Sequence, residues 1–205
     1  MTSAPQGDSP RVGRQRSTSI EKLSHIGLSL FAERGFEQTT VDDIATAAQI
    51  GRRTFFRYFP SKNDLPWGEF DVLLEQMREH LEQLPRTVPI LTALRDAVVA
   101  FNTFPASELP HHRRRMQLLL SVPALTAHST LRYTAWRQVI ADFAADRIGV
   151  PADSLMPQVL GRVILGLSLA AYEQWLRDED ADLIELFDHA FALISYVQLE
   201  GEERG

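Results

Sequence analysis

The chain has 205 residues, 44 % hydrophobic, with 21 Lys and Arg against 27 Asp and Glu for a net charge of -6, which suits one or two compact domains of ordinary globular composition. It contains no cysteine, excluding disulfides, thiolate nucleophiles, thiolate metal sites and cysteine redox sensing. The opening MTSAPQGDSP lacks a basic start followed by an apolar core, and no apolar run is expected to reach the roughly 18 residues of a membrane span, so the chain is expected in the cytoplasm.

In chain order, residues 1–16 are rich in Ser, Pro, Gly and Arg without periodicity and read as a flexible basic arm. Arg11, Arg14 and Arg16 suit either DNA phosphates and a minor groove or a merely solubilising tail. Thr18-Ser19-Ile20-Glu21 has capping-box form, and Ile20, Leu23, Leu28, Leu30 and Phe31 continue at mostly helical spacing to Gly35, predicting a helix over 18–34. Thr40 caps a second helix with Asp43 three residues on, its Val41, Ile44, Ala45 and Ala48 facing inward, and it ends near Gln49. Gly51 then leads into a short helix from Arg52 to Phe59, closed by Pro60.

At about 100° per residue, Phe55 and Phe59 share one face of this short helix while Arg53 and Arg57 lie opposite. A helix that buries aromatics on one side and offers guanidinium groups on the other suits a DNA major groove, because arginine forks match the paired acceptors of guanine and phosphate oxygens. Charge divides at the same place. Residues 1–62 hold nine Lys or Arg against six Asp or Glu, and the remainder holds twelve against twenty-one, so the nucleic-acid-facing end is the first.

Ser61-Lys62-Asn63-Asp64 repeats the capping-box spacing and predicts a long helix to about Leu84, with a bend or shifted start at Pro66. The next helix runs from Ile90 to about Phe104. After Pro105, the run His111-His112-Arg113-Arg114-Arg115 reads as an exposed helix start or as an anion site. Adjacent His111 and His112 diverge by about 100° and do not make the i,i+4 pair of chelating histidines. No metal spacing, Ser-His-Asp order, carboxylate pair or phosphate loop stands out, so neither metal, cofactor nor catalytic residues are expected. Another helix, about 126–148, carries Leu131, Tyr133, Trp136, Val139, Ile140 and Phe143. Trp67, Tyr133, Trp136 and Tyr172 are candidate pocket aromatics, with plain core as the alternative. The last two helices, roughly 155–177 and 183–199, flank an acidic turn. Leu183, Leu186, Phe187, Ala190, Phe191, Leu193, Ile194 and Val197 cover more than one face of the final helix. Beside it Gly161, Gly166, Ser168, Ala170 and Ala171 permit close approach, which predicts a two-fold, four-helix dimer interface.

The run from Leu30 through Gly35, Thr39-Thr40-Val41, Asp43-Ile44-Ala45, and Phe56-Arg57-Tyr58-Phe59 followed by Ser61-Lys62 resembles the TetR family of transcriptional regulators. The wording GRRTFFRYFPSKND followed by Pro66-Trp67-Gly68 is most similar to the mycofactocin-associated members of actinobacteria. The resemblance implies an all-α fold of about nine helices: a helix-turn-helix domain over 17–62 and a larger ligand-binding and dimerisation domain over 63–205. It implies a homodimer that binds a near-palindromic double-stranded operator and is released by a small molecule, with no membrane partner. Thr40, Arg52, Arg53, Thr54, Phe56, Arg57, Tyr58 and Lys62 would meet DNA, Thr40, Tyr58 and Lys62 at phosphates. Phe56 replaces a usual tyrosine and either reads a thymine methyl or packs, and Gln49 replaces a usual glycine. The mycofactocin-linked resemblance suggests an acyl-coenzyme A effector, for whose phosphates Arg113, Arg114 and Arg115 are the candidate partners. The rival is an architectural or adaptor DNA binder without a ligand, which an apolar cavity of a few hundred Å³ between the middle helices would disfavour.

Overall fold

The computed structural model describes residues 19–202, with side chains as far as Ile194. The basic arm with Arg11, Arg14 and Arg16, Thr18 of the expected cap, and the side chain of Val197 lie outside the described residues. Nine α-helices and no strand occur among those described: α1 (Ile20–Arg34), α2 (Val41–Ala47), α3 (Arg52–Tyr58), α4 (Phe70–Gln83), α5 (Ile90–Phe101), α6 (Leu109–Ser121), α7 (Pro123–Ile148), α8 (Leu155–Arg177) and α9 (Leu183–Glu202). A 3₁₀ segment, Lys62–Trp67, precedes α4.

The caps explain the first three boundaries. Ser19, one residue after the expected cap start, accepts the Lys22 N–H at 3.1 Å, and Gly35 ends α1 at φ 87°. Thr40 and Asp43 close a reciprocal capping box at α2. The Thr40 hydroxyl and N–H, followed by Arg34, hold the Asp43 carboxyl below its usual range. The α2–α3 turn passes through Gln49 at φ 55°, the one non-glycine residue with positive φ among those described. This is where the family resemblance predicted glycine, and a β-carbon there carries a strain that glycine would not.

The single helix expected over 61–84 is divided. Ser61 and Asp64 form the expected capping box, but Pro66 has no N–H to continue an α-helical ladder and Gly68 reverses the backbone at φ 51°. The first turn therefore tightens into 3₁₀ form, and α4 starts afresh at Phe70. Leu65, fully buried, locks this segment onto α1 where Gly27 leaves room: a β-carbon at Gly27 would stand 2.4 Å from the Leu65 side chain.

Asp64 is the polar hub of the same junction. Its carboxylate accepts from the Ser61 N–H at 3.0 Å, lies 3.0 Å from His128 Nε2 and meets Arg132, which also pairs with Asp71 at 2.6 Å. Burial pushes the Asp64 pKa up, but the Ser61, His128 and Arg132 contacts outweigh it and hold the group ionised. One apolar core runs from Leu23, Phe31, Ile44 and Phe55 through Leu65, Leu94 and Ile140 to Phe187.

The small residues of α8 divide between two jobs, correcting the expectation that all serve one interface. Gly161, Ser168 and Ala171 are buried, and a β-carbon at Gly161 would approach the Arg137 carbonyl oxygen to 2.9 Å, so this row seats α8 on α7. Gly166 and Ala170 face outward, in line with exposed Met156, Val159 and Val163, and Leu193 of α9 is 65 % exposed. On α9, Leu183, Phe187 and Phe191 point into the core. The α8 sequence is also long and apolar enough to cross a membrane, with mean hydropathy 1.4 in its richest window, contrary to the expectation from apolar runs. Its packing against α7 and α9 and its outward stripe account for that composition.

Candidate nucleic-acid interface and ligand cavity

Helix α3 is amphipathic in the sense its sequence requires. Phe55 and Phe59 are 0 % and 3 % exposed, with ring centroids 5.8 Å apart. Arg52, Arg53 and Arg57 are exposed and Thr54 and Tyr58 half-buried. Arg53 and Arg57 make no ion pair with any described residue; Arg57 lies 5.2 Å from the Tyr58 ring centre. Arg52 instead reaches back to Asp42 of α2 at 2.8 Å and covers the Phe56 ring at 5.4 Å. Phe56, 42 % exposed, stands on the outward side, so simple core packing does not describe it.

Two expected phosphate contacts are engaged within the chain. The Thr40 hydroxyl donates to Asp43 at 2.6 Å and accepts the Asp43 N–H at 3.1 Å. The Lys62 ammonium donates to the carbonyls of Phe36 at 2.8 Å, Thr39 at 3.2 Å and Glu37 at 3.5 Å, over the Phe36 ring. A lysine with its three donors so placed ties the α1–α2 turn to the 3₁₀ segment rather than reaching outward.

Inside the larger half, a chamber of about 80 Å³ lies between α4, α5, α6, α7 and α8. Trp67, Tyr133, Trp136 and Tyr172, expected only as candidates, all line it, as do Phe70 and Phe101. Trp67 meets the edges of Phe70 and Tyr133 at 5.0 and 5.7 Å. A second, wider space of about 200 Å³ adjoins it between α1, α4 and α6, sharing Trp67, Leu73, Phe104, His112 and Arg115. These five residues form the neck between chamber and vestibule. The chamber alone falls short of the few hundred Å³ expected of a sensor, and a wider cleft of about 510 Å³ between α4 and α7 is lined by the charged Arg78, Glu82, Arg86, Asp142, Asp146 and Arg147.

The chamber is not apolar throughout. Tyr172 donates its hydroxyl proton to Asn102 Oδ1 and lies 2.9 Å from His112 Nε2, while Asn102 donates to the Val98 carbonyl at 2.7 Å. With its proton given to Asn102, Tyr172 accepts from His112 Nε2–H, leaving His112 Nδ1 as an acceptor. Burial, then the Arg115 charge, drives the His112 pKa down to about 3, so its ring is neutral at ordinary pH. Burial likewise raises Tyr172 and weakens the hold of Arg115 on its proton. Four buried polar atoms of the lining have no hydrogen-bond partner among the described residues: Trp67 Nε1, His112 Nδ1, Arg115 Nε and Tyr133 Oη. Ser129, beside Tyr133, gives its own proton to the Leu125 carbonyl at 2.8 Å.

The arginine run does not form one anion patch, which corrects that expectation. Successive positions on a helix diverge by about 100°, and the three side chains part accordingly. Arg113 stacks on Trp175 at 4.1 Å and donates to the Trp175 and Asp178 carbonyls, closing the end of α8. Arg114 reaches Ser29 of α1 at 3.4 Å. Only Arg115 enters the cavity. His112 was not expected as a cavity residue, although its spacing with Arg115, Met116 and Leu119 marks one helical face. Asn102, at the end of α5, carries no such signal.

Helix α6 touches α1 as well as the chamber. His25 of α1 lies 2.9 Å from Glu108 at the start of α6, and the His25 and His111 rings stack at 3.8 Å. Glu21, His25 and Glu108 bring three potential metal-ligand atoms within 4.8 Å of one another. Glu21 and His25 stand four apart on one helix, a spacing visible in the sequence, whereas Glu108 joins them only through the packing of α6 on α1.

Residues 26–65 match the family described as bacterial regulatory proteins, tetR family, and residues 88–197 match the MftR C-terminal domain of TetR regulators. The chain is 46 % identical to MftR of Mycobacterium tuberculosis H37Rv, a protein named for transcriptional regulation of mycofactocin biosynthesis, over 90 % of this chain and 93 % of that one. It is 29 % identical to the HTH-type transcriptional regulator TcmR of Streptomyces glaucescens, over 88 % and 83 % of the two chains. Among solved structures, it resembles FadR of Thermus thermophilus, a TetR family repressor in complex with lauroyl-CoA, with TM-score 0.54, 24 % identity and coverage of 85 % and 92 %. It also resembles FadR of Bacillus subtilis in complex with stearoyl-CoA, with TM-score 0.59, 17 % identity and coverage of 83 % and 95 %.

Proposed function

Because the chain belongs to the TetR family of bacterial transcriptional regulators, we propose that it is a ligand-released repressor that binds a near-palindromic operator as a homodimer. A DNA-binding regulator acts where the DNA is, in the cytoplasm. Arg53 and Arg57 read base edges, Arg52, Thr54 and Phe56 complete the groove contact, and Tyr58 meets the backbone. Thr40 meets a phosphate through the start of α2, and Lys62 serves the DNA indirectly by fixing the turn before α2. Apposition of the outward faces of α8 and α9 makes the dimer, with Met156, Val159, Val163 and Leu193 buried and Gly166 and Ala170 at the closest approach. Such a dimer sets its two α3 helices about 34 to 36 Å apart, one turn of DNA.

The observation that carries the ligand response is the double engagement of α6. Its inner face supplies His112 and Arg115 to the cavity, while its start holds α1 through Glu108 and His25 and Arg114 meets Ser29. A ligand that shifts α6 therefore shifts α1, which packs on the 3₁₀ segment and on α2. An acyl-coenzyme A is the effector supported by the lauroyl-CoA and stearoyl-CoA bound to similar folds, although Arg113 and Arg114 are engaged elsewhere. The small chamber favours the rival adaptor without a ligand. Against it stand the four unpartnered polar atoms, since a solid core pairs its buried donors and acceptors. Selection from a random-sequence DNA pool tests the reading. The expected product is a near-palindrome with half-site centres about 10 base pairs apart, and a pool with no enriched sequence refutes it.

A further inference from the structure

Among the described residues, Arg115 is the one lysine or arginine that lines the chamber, and it is half-buried. Its Nε is buried without a partner, and no carboxylate among the described residues lies within ion-pair distance of its guanidinium. It occupies the neck, lining both chamber and vestibule. Even partial desolvation of a cation is costly unless an acceptor compensates it, and the buried, unfilled Nε–H adds to that cost. Trp67, only 8 % exposed, lines both spaces and leaves its indole N–H unsatisfied. Tyr133 adds an unsatisfied hydroxyl on the chamber side, with its ring 5.7 Å from Trp67. The neck thus offers donors on a cation and an indole, with a phenol on the chamber side and aromatic and aliphatic side chains beyond. A purely apolar guest would leave every one of these donors orphaned.

Accepting the ligand-sensor reading, we propose that Arg115, Trp67 and Tyr133 are an acyl-oxygen clamp. The effector's carbonyl or carboxylate oxygen is held at the neck, and its chain enters the chamber beside Trp136 and Tyr172. The vestibule, lined by Glu21, Glu69 and Glu108 as well as by His25 and Arg115, receives the group attached to the acyl carbon. The clamp chemistry is common to a free acid and a thioester, and the probes must separate these two sources.

Titration calorimetry of the full-length protein with octanoate, octanoyl-CoA and 1-octanol, which share one tail, provides the test. Either acyl probe, or both, is expected to bind tenfold or more tightly than the alcohol, as one charge-assisted hydrogen bond of about 1.5 to 3 kcal/mol implies. Binding by octanoate alone identifies the acid, and binding by octanoyl-CoA alone the thioester; either supports the clamp. Arg115→Met should erase the preference without weakening the alcohol, and Arg115→Lys should restore part of it. Ligand-free Arg115→Met should melt no lower than the parent, because it removes a half-buried cation that has no ion-pair partner among the described residues, and a cooperative melt at or above the parent's temperature shows the variant to be folded. Equal affinity for alcohol and acyl probes, or a preference that survives Arg115→Met, overturns the clamp. If 1-octanol then still releases DNA, the sensor reading stands without it. Failure of all three probes to bind overturns the clamp and removes support from the sensor together.

Discussion

The outward face of α3 and the neck of the cavity both present arginine, under opposite conditions of solvation. Arg53 and Arg57 stand in water, so ionisation there costs little and a phosphate or guanine is met by exchanging hydration for fork geometry. Arg115 is half-buried, its Nε out of water and no anion gained. The first arrangement suits a large polyanion that must be found and left repeatedly, whereas the second stores a cost that a small guest relieves. Between them lies α6, whose start is tied to α1 and whose inner face lines the chamber.

The largest expected effect falls on the solvated side. Arg53→Ala should lower affinity for the selected operator by about 1 to 3 kcal/mol per half-site and relax specificity at one base pair, read by fluorescence anisotropy on matched and mutated duplexes. Equal loss on random DNA would remove Arg53 from base reading.

The junction between the two regions comes next. Gly27→Ala drives a β-carbon into Leu65 and should cost about 1 to 3 kcal/mol of stability by overpacking, measured by chemical denaturation; an unchanged midpoint would mean that α1 and the 3₁₀ segment separate freely.

The buried side has its own signature in pH. His112 titrates near 6.5 when unfolded and at about 3 when folded. The unfolded chain therefore binds the extra proton, and stability present above pH 6.5 is lost as pH falls toward 3, by up to about 1.4 kcal/mol per unit. His112→Gln should flatten that part of the slope between pH 6.5 and 5, and identical slopes in parent and variant would show that the His112 ring is hydrated.

The smallest effect tests the turn ahead of α3. Gln49→Gly relieves a positive φ and should stabilise by about 0.5 to 1 kcal/mol, with a rise in melting temperature as the readout and a fall as the contrary result.

The reading half was more legible than the sensing half for a reason visible in particular residues. Thr40 with Asp43, Gly35, and the Phe55–Arg57 alternation act within a turn or two of helix, where sequence spacing is spatial spacing. Lys62 is the exception: its partners Phe36, Glu37 and Thr39 are more than twenty residues away, so the family resemblance suggested DNA while the fold directs it inward. The cavity draws on residues from Trp67 to Tyr172. Its aromatics were nameable as candidates, but Asn102 and His112 gain their meaning only from Tyr172, some sixty or seventy residues away.

By itself the sequence determined an all-helical chain with a cationic, aromatic-backed helix near its beginning and apolar helices at its end, because helix periodicity, caps and charge are local properties. Only the tertiary structure decided which of three consecutive arginines enters the cavity. Their 100° steps around α6 are common to any helix, but what each step meets was set by the packing of α6: the end of α8 for Arg113, α1 for Arg114, and the neck for Arg115.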